Sequence, residues 1–120
     1  MIGSYQELTV WQKAMDLVVE IYKICKLLPK EELYALSDQM RRAAVSIPSN
    51  IAEGKARLSI KEYVNFLSIA RGSNAELHTQ LLICQRLSYA TDQQLENAFI
   101  LTNEVGKMLS ALITSLTPKT

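Results

Sequence analysis

Apolar residues recur along this 120-residue chain at intervals of three and four in four separate segments, and no alternating run is long enough to compete as a strand. That spacing stacks apolar side chains on one face of a helix, so the expected fold is all-α. The first segment, from about residue 8 to 28, carries two neighbouring seams. One is Val10, Ala14, Leu17, Ile21, Ile24 and Leu28; the other is Trp11, Met15, Val18, Tyr22 and Cys25. Together they make an apolar arc wider than one bundle partner requires. Pro29 stops this helix, and Ser37 is an N-cap candidate for a second that ends near Gly54, where a glycine suits the left-handed turn past a helix end. Ser59-Ile60-Lys61-Glu62 reads as a capping box opening a third helix, to about residue 88. Thr91-Asp92-Gln93-Gln94 repeats the signal for a fourth, to about residue 116.

Short links near residues 55–58 and 89–90 force neighbouring helices to run antiparallel, and the economical solution is an up-down-up-down four-helix bundle forming one domain. A hydrophobic content of 48% and a charged content of 21% match a globular protein rather than a disordered one. No apolar run reaches the roughly 20 residues of a membrane span. The amino terminus lacks a basic patch followed by an apolar signal core, so a soluble cytoplasmic protein is expected. Pro48, inside the second helix, lacks a backbone donor and should bend that helix around the core.

At 100° per residue, Leu36, Met40, Ala43, Ala44, Ile47, Ile51 and Gly54 share the core arc of the second helix. Arg42, Ser46, Ser49, Glu53 and Arg57 fall opposite, and Arg41, Val45, Pro48 and Ala52 form a flank of mostly small residues. On the third helix the expected core face is Phe66, Ile69, Ala70, Ser73, Leu77, Leu81 and Cys84. A second stripe there interleaves Ile60, Val64, Leu67 and Leu82 with Arg71, Asn74, His78 and Gln85. A monomer exposing that stripe and the wide arc of the first helix would show more apolar surface than is usual. A homo-oligomer is therefore expected, with Leu17, Ile24, Ile60, Val64, Leu67, Asn74, His78 and Leu82 at the interface.

Catalytic patterns are poor. The single histidine, His78, cannot furnish the paired Glu-x-x-His elements of a di-metal bundle, and no second catalytic partner stands at helical spacing from it. Cys25 and Cys84 sit in apolar patterns, belong to no CxxC and read as small core residues. The glycines are scattered and form no phosphate loop. The expectation is a non-enzyme with no cofactor, no metal and no small-molecule substrate.

Net charge is only +1, but it is unevenly placed: basic residues gather in the middle of the chain as Arg41, Arg42, Lys55, Arg57, Lys61, Arg71 and Arg86. A ring of subunits would multiply such a patch into the array of cations that salt-sensitive nucleic-acid binding uses. The competing reading is a solvated or salt-bridged face, since Glu53, Glu62 and Glu76 lie near enough in sequence to neutralise much of it.

Four stretches carry a resemblance: WQKA at 11–14, YALSDQMRRAA at 34–44, SIPSNIAEG at 46–54 and IARGSNAEL at 69–77. In this order they resemble the bacterial four-helix-bundle family named for proteins encoded by intervening sequences of 23S ribosomal RNA genes. The resemblance implies a homopentameric ring without enzymatic chemistry. It also implies kinship with the accessory variability protein of diversity-generating retroelements, a basic pentamer that binds nucleic acid and a reverse transcriptase. Arg41, Arg42, Asn50, Glu53, Gly54, Arg57, Gly72, Ser73 and Glu76 occupy the family's pattern. Of these, Arg42, Asn50, Glu53, Ser73 and Glu76 are expected to form a hydrogen-bonded network between the second and third helices or between subunits. Arg41, Lys55, Arg57, Lys61, Arg71 and Arg86 are the candidate contacts to RNA, DNA or another partner, with Lys55, Arg57 and Lys61 the freest of them.

Overall fold

The computed structural model describes residues 4–118, which form four α-helices and two short 3-10 turns and, among the described residues, no strand. The helices are α1 (Thr9–Cys25), α2 (Leu36–Lys55), α3 (Ile60–Arg86) and α4 (Asp92–Leu116), each within three residues of the expected bounds. The ends follow local chemistry. At α4, Thr91 Oγ1 accepts from Gln94 N at 3.1 Å while Gln94 Oε1 accepts from Thr91 N at 2.9 Å, a complete capping box. At α3 only half of that device forms: Ser59 Oγ accepts from Glu62 N at 3.1 Å, and the Glu62 carboxylate accepts from the Ser59 hydroxyl instead of the backbone.

Two expected end signals prove to be something else. Ser37 is not the N-cap of α2, which lies at Ala35. Glu32, in the preceding 3-10 turn, accepts from Leu36 N through Oε1 at 3.4 Å, so the cap lies two residues earlier and Ser37 is buried inside the helix. Gly54 is not a left-handed terminator either, because it lies within the helix. A Cβ there would stand 2.8 Å from Phe66 Cβ and 3.2 Å from the Tyr63 carbonyl, so the glycine lets α3 approach closely.

In the bundle α1 packs on α2 and α4, and α3 packs on α2 and α4, while the backbones of the diagonal pairs stay apart across the shared core. This square four-helix bundle measures 46 × 24 × 21 Å. The first seam is buried from Val10 to Ile24 of α1 and on to Leu28 just past its end, and Met40, Ile47 and Ile51 of α2 meet it together with Leu95, Val105 and Leu109 of α4. Each such side chain contributes about 1.5–3 kcal/mol by leaving water. The second seam stays half-exposed, with Met15 and Tyr22 at the surface and Trp11 and Val18 partly covered. α2 runs through the buried Pro48 as one helix.

The expected face of α3 is corrected. Ile69 is 52% exposed, whereas Leu67 is fully buried and Asn74 is 6% exposed. α3 must cover α2 on one side and α4 on the other, so its buried arc turns toward α4 and takes in residues assigned above to the outer stripe.

Candidate functional site

The polar set expected to act as one network falls into separate pieces. Ser46 and Ser73 hydroxyls meet at 2.8 Å across the α2–α3 contact, and Asn50 Nδ2 donates to both Ser46 O at 2.8 Å and Ser46 Oγ at 2.9 Å. Arg42 is not part of this group; it lies one turn from Asp38 and pairs with it at 3.0 Å, exposed. Glu53 pairs with Arg57 at 3.6 Å, also on the surface, and Glu76 accepts from Gln80 at 3.3 Å. Only the Ser73 hydroxyl and the unforeseen Ser46 thus join the two helices, with Asn50 bracing Ser46 from within α2, because α2 and α3 approach closely enough for short hydroxyls and not for long charged chains.

The cations separate in a similar way. Arg41 Nη2 donates to the Leu33 carbonyl at 3.2 Å and so ties the α1–α2 connection to α2. Lys55 stands 5.7 Å over the Tyr63 ring, and Arg57 lies 4.8 Å over Phe66 with Glu62 at 3.8 Å in addition to Glu53. Lys55 and Arg57, expected to be among the freest cations, are therefore engaged at the α2–α3 turn. Lys61, Arg71 and Arg86 remain: all three are exposed on α3, and among the described residues none has an ion pair or side-chain hydrogen bond.

The expected oligomer interface also divides. Leu17, Ile24 and Leu67 lie in the chain's own core and present nothing to a neighbour, and Asn74 is almost fully covered. Val64 is partly buried against that core, whereas Ile60 and Leu82 are exposed, as are Ile69 and Ile83.

Asn74 and His78 face α4 and form a cluster that periodicity alone did not reveal. Asn74 Nδ2 donates to the Thr102 carbonyl at 2.9 Å, His78 Nδ1 lies 2.8 Å from Thr102 Oγ1, and the imidazole meets the Phe99 ring edge-on at 5.3 Å. Thr102 belongs to the apolar stripe of α4, and its hydroxyl was the one available sign of a polar partner there.

Burial pushes the Cys84 thiol up to about 11, with Cys25 and Glu32 adding to the effect. Burial likewise raises Cys25 against the opposing pull of Arg41. Neither is an activated nucleophile. Among the described residues no group of three or more His, Cys, Asp and Glu side chains could hold a metal ion, and no helix is long and apolar enough to cross a membrane.

Fold and surface define a four-helix-bundle protein with exposed cations strung along α3. A model of the 23S rRNA-intervening sequence proteins matches residues 6–111, and the chain belongs to that family. It is similar to a solved structure of a protein with unknown function from the S23 ribosomal protein family of Bacteroides thetaiotaomicron VPI-5482. The TM-score is 0.81 and the identity 28%, over 88% of this chain and 98% of that one. No curated protein matches the chain significantly.

Proposed function

We propose that the chain is a non-enzymatic interaction scaffold of antiparallel helices, assembled as a homo-oligomeric ring of five. α3 faces outward toward nucleic acid or a nucleic-acid enzyme such as a reverse transcriptase. The observation that carries this reading is the division of charge around α3. Asp38, Glu53, Glu62 and Glu76 all have partners within the chain, whereas Lys61, Arg71 and Arg86 have none among the described residues. At helical spacing these three cations fall within an arc of about 80° and are strung along roughly 37 Å of helix. Such a row matches a phosphate backbone, and a ring repeats it.

Fluorescence anisotropy with a labelled single-stranded RNA tests the reading. Affinity should fall steeply between 50 and 200 mM salt, and a triple Lys61→Ala, Arg71→Ala, Arg86→Ala variant should flatten the log–log salt slope by about 2 per subunit bound. Binding that ignores salt would sink it.

Gly72 favours a second reading, a ring that docks protein without touching phosphate. It is exposed in the middle of α3, where glycine costs about 1 kcal/mol relative to alanine, and a Cβ there would meet nothing within 4 Å. No neighbour within the chain requires that glycine, and the exposed Ile69 and Ile83 flank the same face. A protein partner that survives nuclease treatment in a pull-down would favour this second reading.

A further inference from the structure

Backbone contacts run from α1 to α2, α3, α4 and back to α1, so the side of the bundle formed by α1 and α2 lies opposite the side formed by α3 and α4. Both sides carry apolar surface that the chain leaves open. On the first, a groove of about 320 Å³ is lined in part by Trp11, Met15, Val18, Val45, Pro48 and Ala52. Met15 and Val45 are exposed there, and the apolar strip continues past Val45 to the exposed Tyr22. On the opposite side, a depression of about 440 Å³ is lined in part by Ile60, Val64, Leu116 and Pro118, with Ile60 57% exposed.

The two hollows are at the same height. Ala52 lies one turn before the end of α2 and Ile60 opens α3, and residues 56–59 join those helices, so both hollows lie toward the end of the bundle that holds this turn. The long sides measure 46 Å by 21–24 Å. Each therefore offers on the order of 1,000 Å², against the roughly 800 Å² per partner that a stable contact buries. A twofold contact joins like to like and would cover one of these sides while leaving the other bare. The single kind of contact that covers both is head-to-tail.

We infer that the occupant of both sides is a second copy of this chain, the α1–α2 side of one subunit seating on the α3–α4 side of the next. The small Ala52 and the buried Pro48 keep the groove low enough for a neighbouring helix to approach, and Met15 with Val45 supplies the apolar surface that meets Ile60 and Val64. The inference deepens the ring reading above, which leaves open the surfaces that meet, and rests on it for closure at five. Lys61 and Arg86 are exposed and point away from the buried arc of α3 at helical spacing, so they stand at the outer edge of this contact and stay open to a phosphate.

Native mass spectrometry of the full chain and of two variants tests it. Met15→Glu and Ile60→Glu each place an unpaired charge in the contact, while in the separate subunit both side chains lie at the surface. Each variant alone should fall from the ring to the 13.5 kDa subunit mass with its helical circular dichroism intact. Should Met15→Glu lose that signal, Val45→Glu replaces it on the same side. Mixed in equal amounts, the two variants should form a heterodimer, because the Met15→Glu copy keeps an intact α3–α4 side and the Ile60→Glu copy an intact α1–α2 side. A mixture that stays at the subunit mass overturns the head-to-tail contact, and so does either variant that keeps the wild-type mass. In the latter case a wild-type ring still stands, made through other surfaces. A wild-type assembly of another size, broken by both variants and rescued by mixing, upholds the contact and removes the ring of five. A wild-type chain at the subunit mass overturns both.

Discussion

Ser88 carries a φ of 58°, a left-handed conformation that costs a side chain about 1–2 kcal/mol. It is held there by the end of α3, where Tyr89 N donates to Cys84 O at 3.0 Å and Ser88 N to Gln85 O at 3.1 Å, the paired bonds that close a helix on a residue usually glycine. Ser88→Gly should therefore stabilise the fold by about 0.5–1 kcal/mol, read as a higher midpoint in urea. Cys84 gives a second residue-scale expectation. Its thiol is raised from 9.0 to about 11 in the folded chain, chiefly by burial. The folded state thus holds this proton more tightly than the unfolded state, and the resulting stability is intact below about pH 9 and lost as pH rises through about 11. Thermal midpoints should fall across that window in the wild type and fall less in Cys84→Ala. Glu53→Ala, by contrast, removes an exposed pair and should shift stability by less than about 0.5 kcal/mol.

Among the elements, the two central glycines of the family pattern do opposite things. Gly54→Ala would force a methyl against Phe66 and the Tyr63 backbone, so α2 and α3 must separate. Denaturant unfolding should show a loss of about 1–3 kcal/mol. Gly72→Ala meets no atom within 4 Å and should gain up to about 1 kcal/mol in the isolated subunit. If that face docks a partner closely, the same substitution weakens docking while it stabilises the chain. From the sequence Gly54 reads as a helix end and Gly72 as a helix interior, and neither reading reveals the packing role, because that role is set by which face meets a neighbouring helix.

For the whole molecule, the square arrangement leaves the second seam of α1 half-exposed and the outer face of α3 without cover in a single chain. The proposed ring predicts a native mass about five times the 13.5 kDa subunit, and Met15→Glu or Tyr22→Glu should reduce it if the half-exposed seam of α1 lies in the subunit contact. Native mass spectrometry and light scattering read this directly. The same arrangement decides the chemistry of the middle of the chain. Arg57 and Lys55 looked free while α2 was considered alone, and they are engaged because the tight turn into α3 brings Tyr63, Phe66 and Glu62 beneath them.

The sequence by itself determined the class of fold, the four helices, most of their ends and the buried seam of α1. These depend on spacing and capping within a few residues, and such local chemistry is written in order along the chain. Tertiary structure alone decided which side of α3 is buried, which members of the expected polar set touch one another, and which cations are left over. It also brought Asn74 and His78 of α3 against Thr102 and Gly106 of α4, residues 24 to 32 positions apart. Periodicity specifies a face for each helix but not the angle at which two neighbours share it, and that angle is set by how closely the backbones can pack.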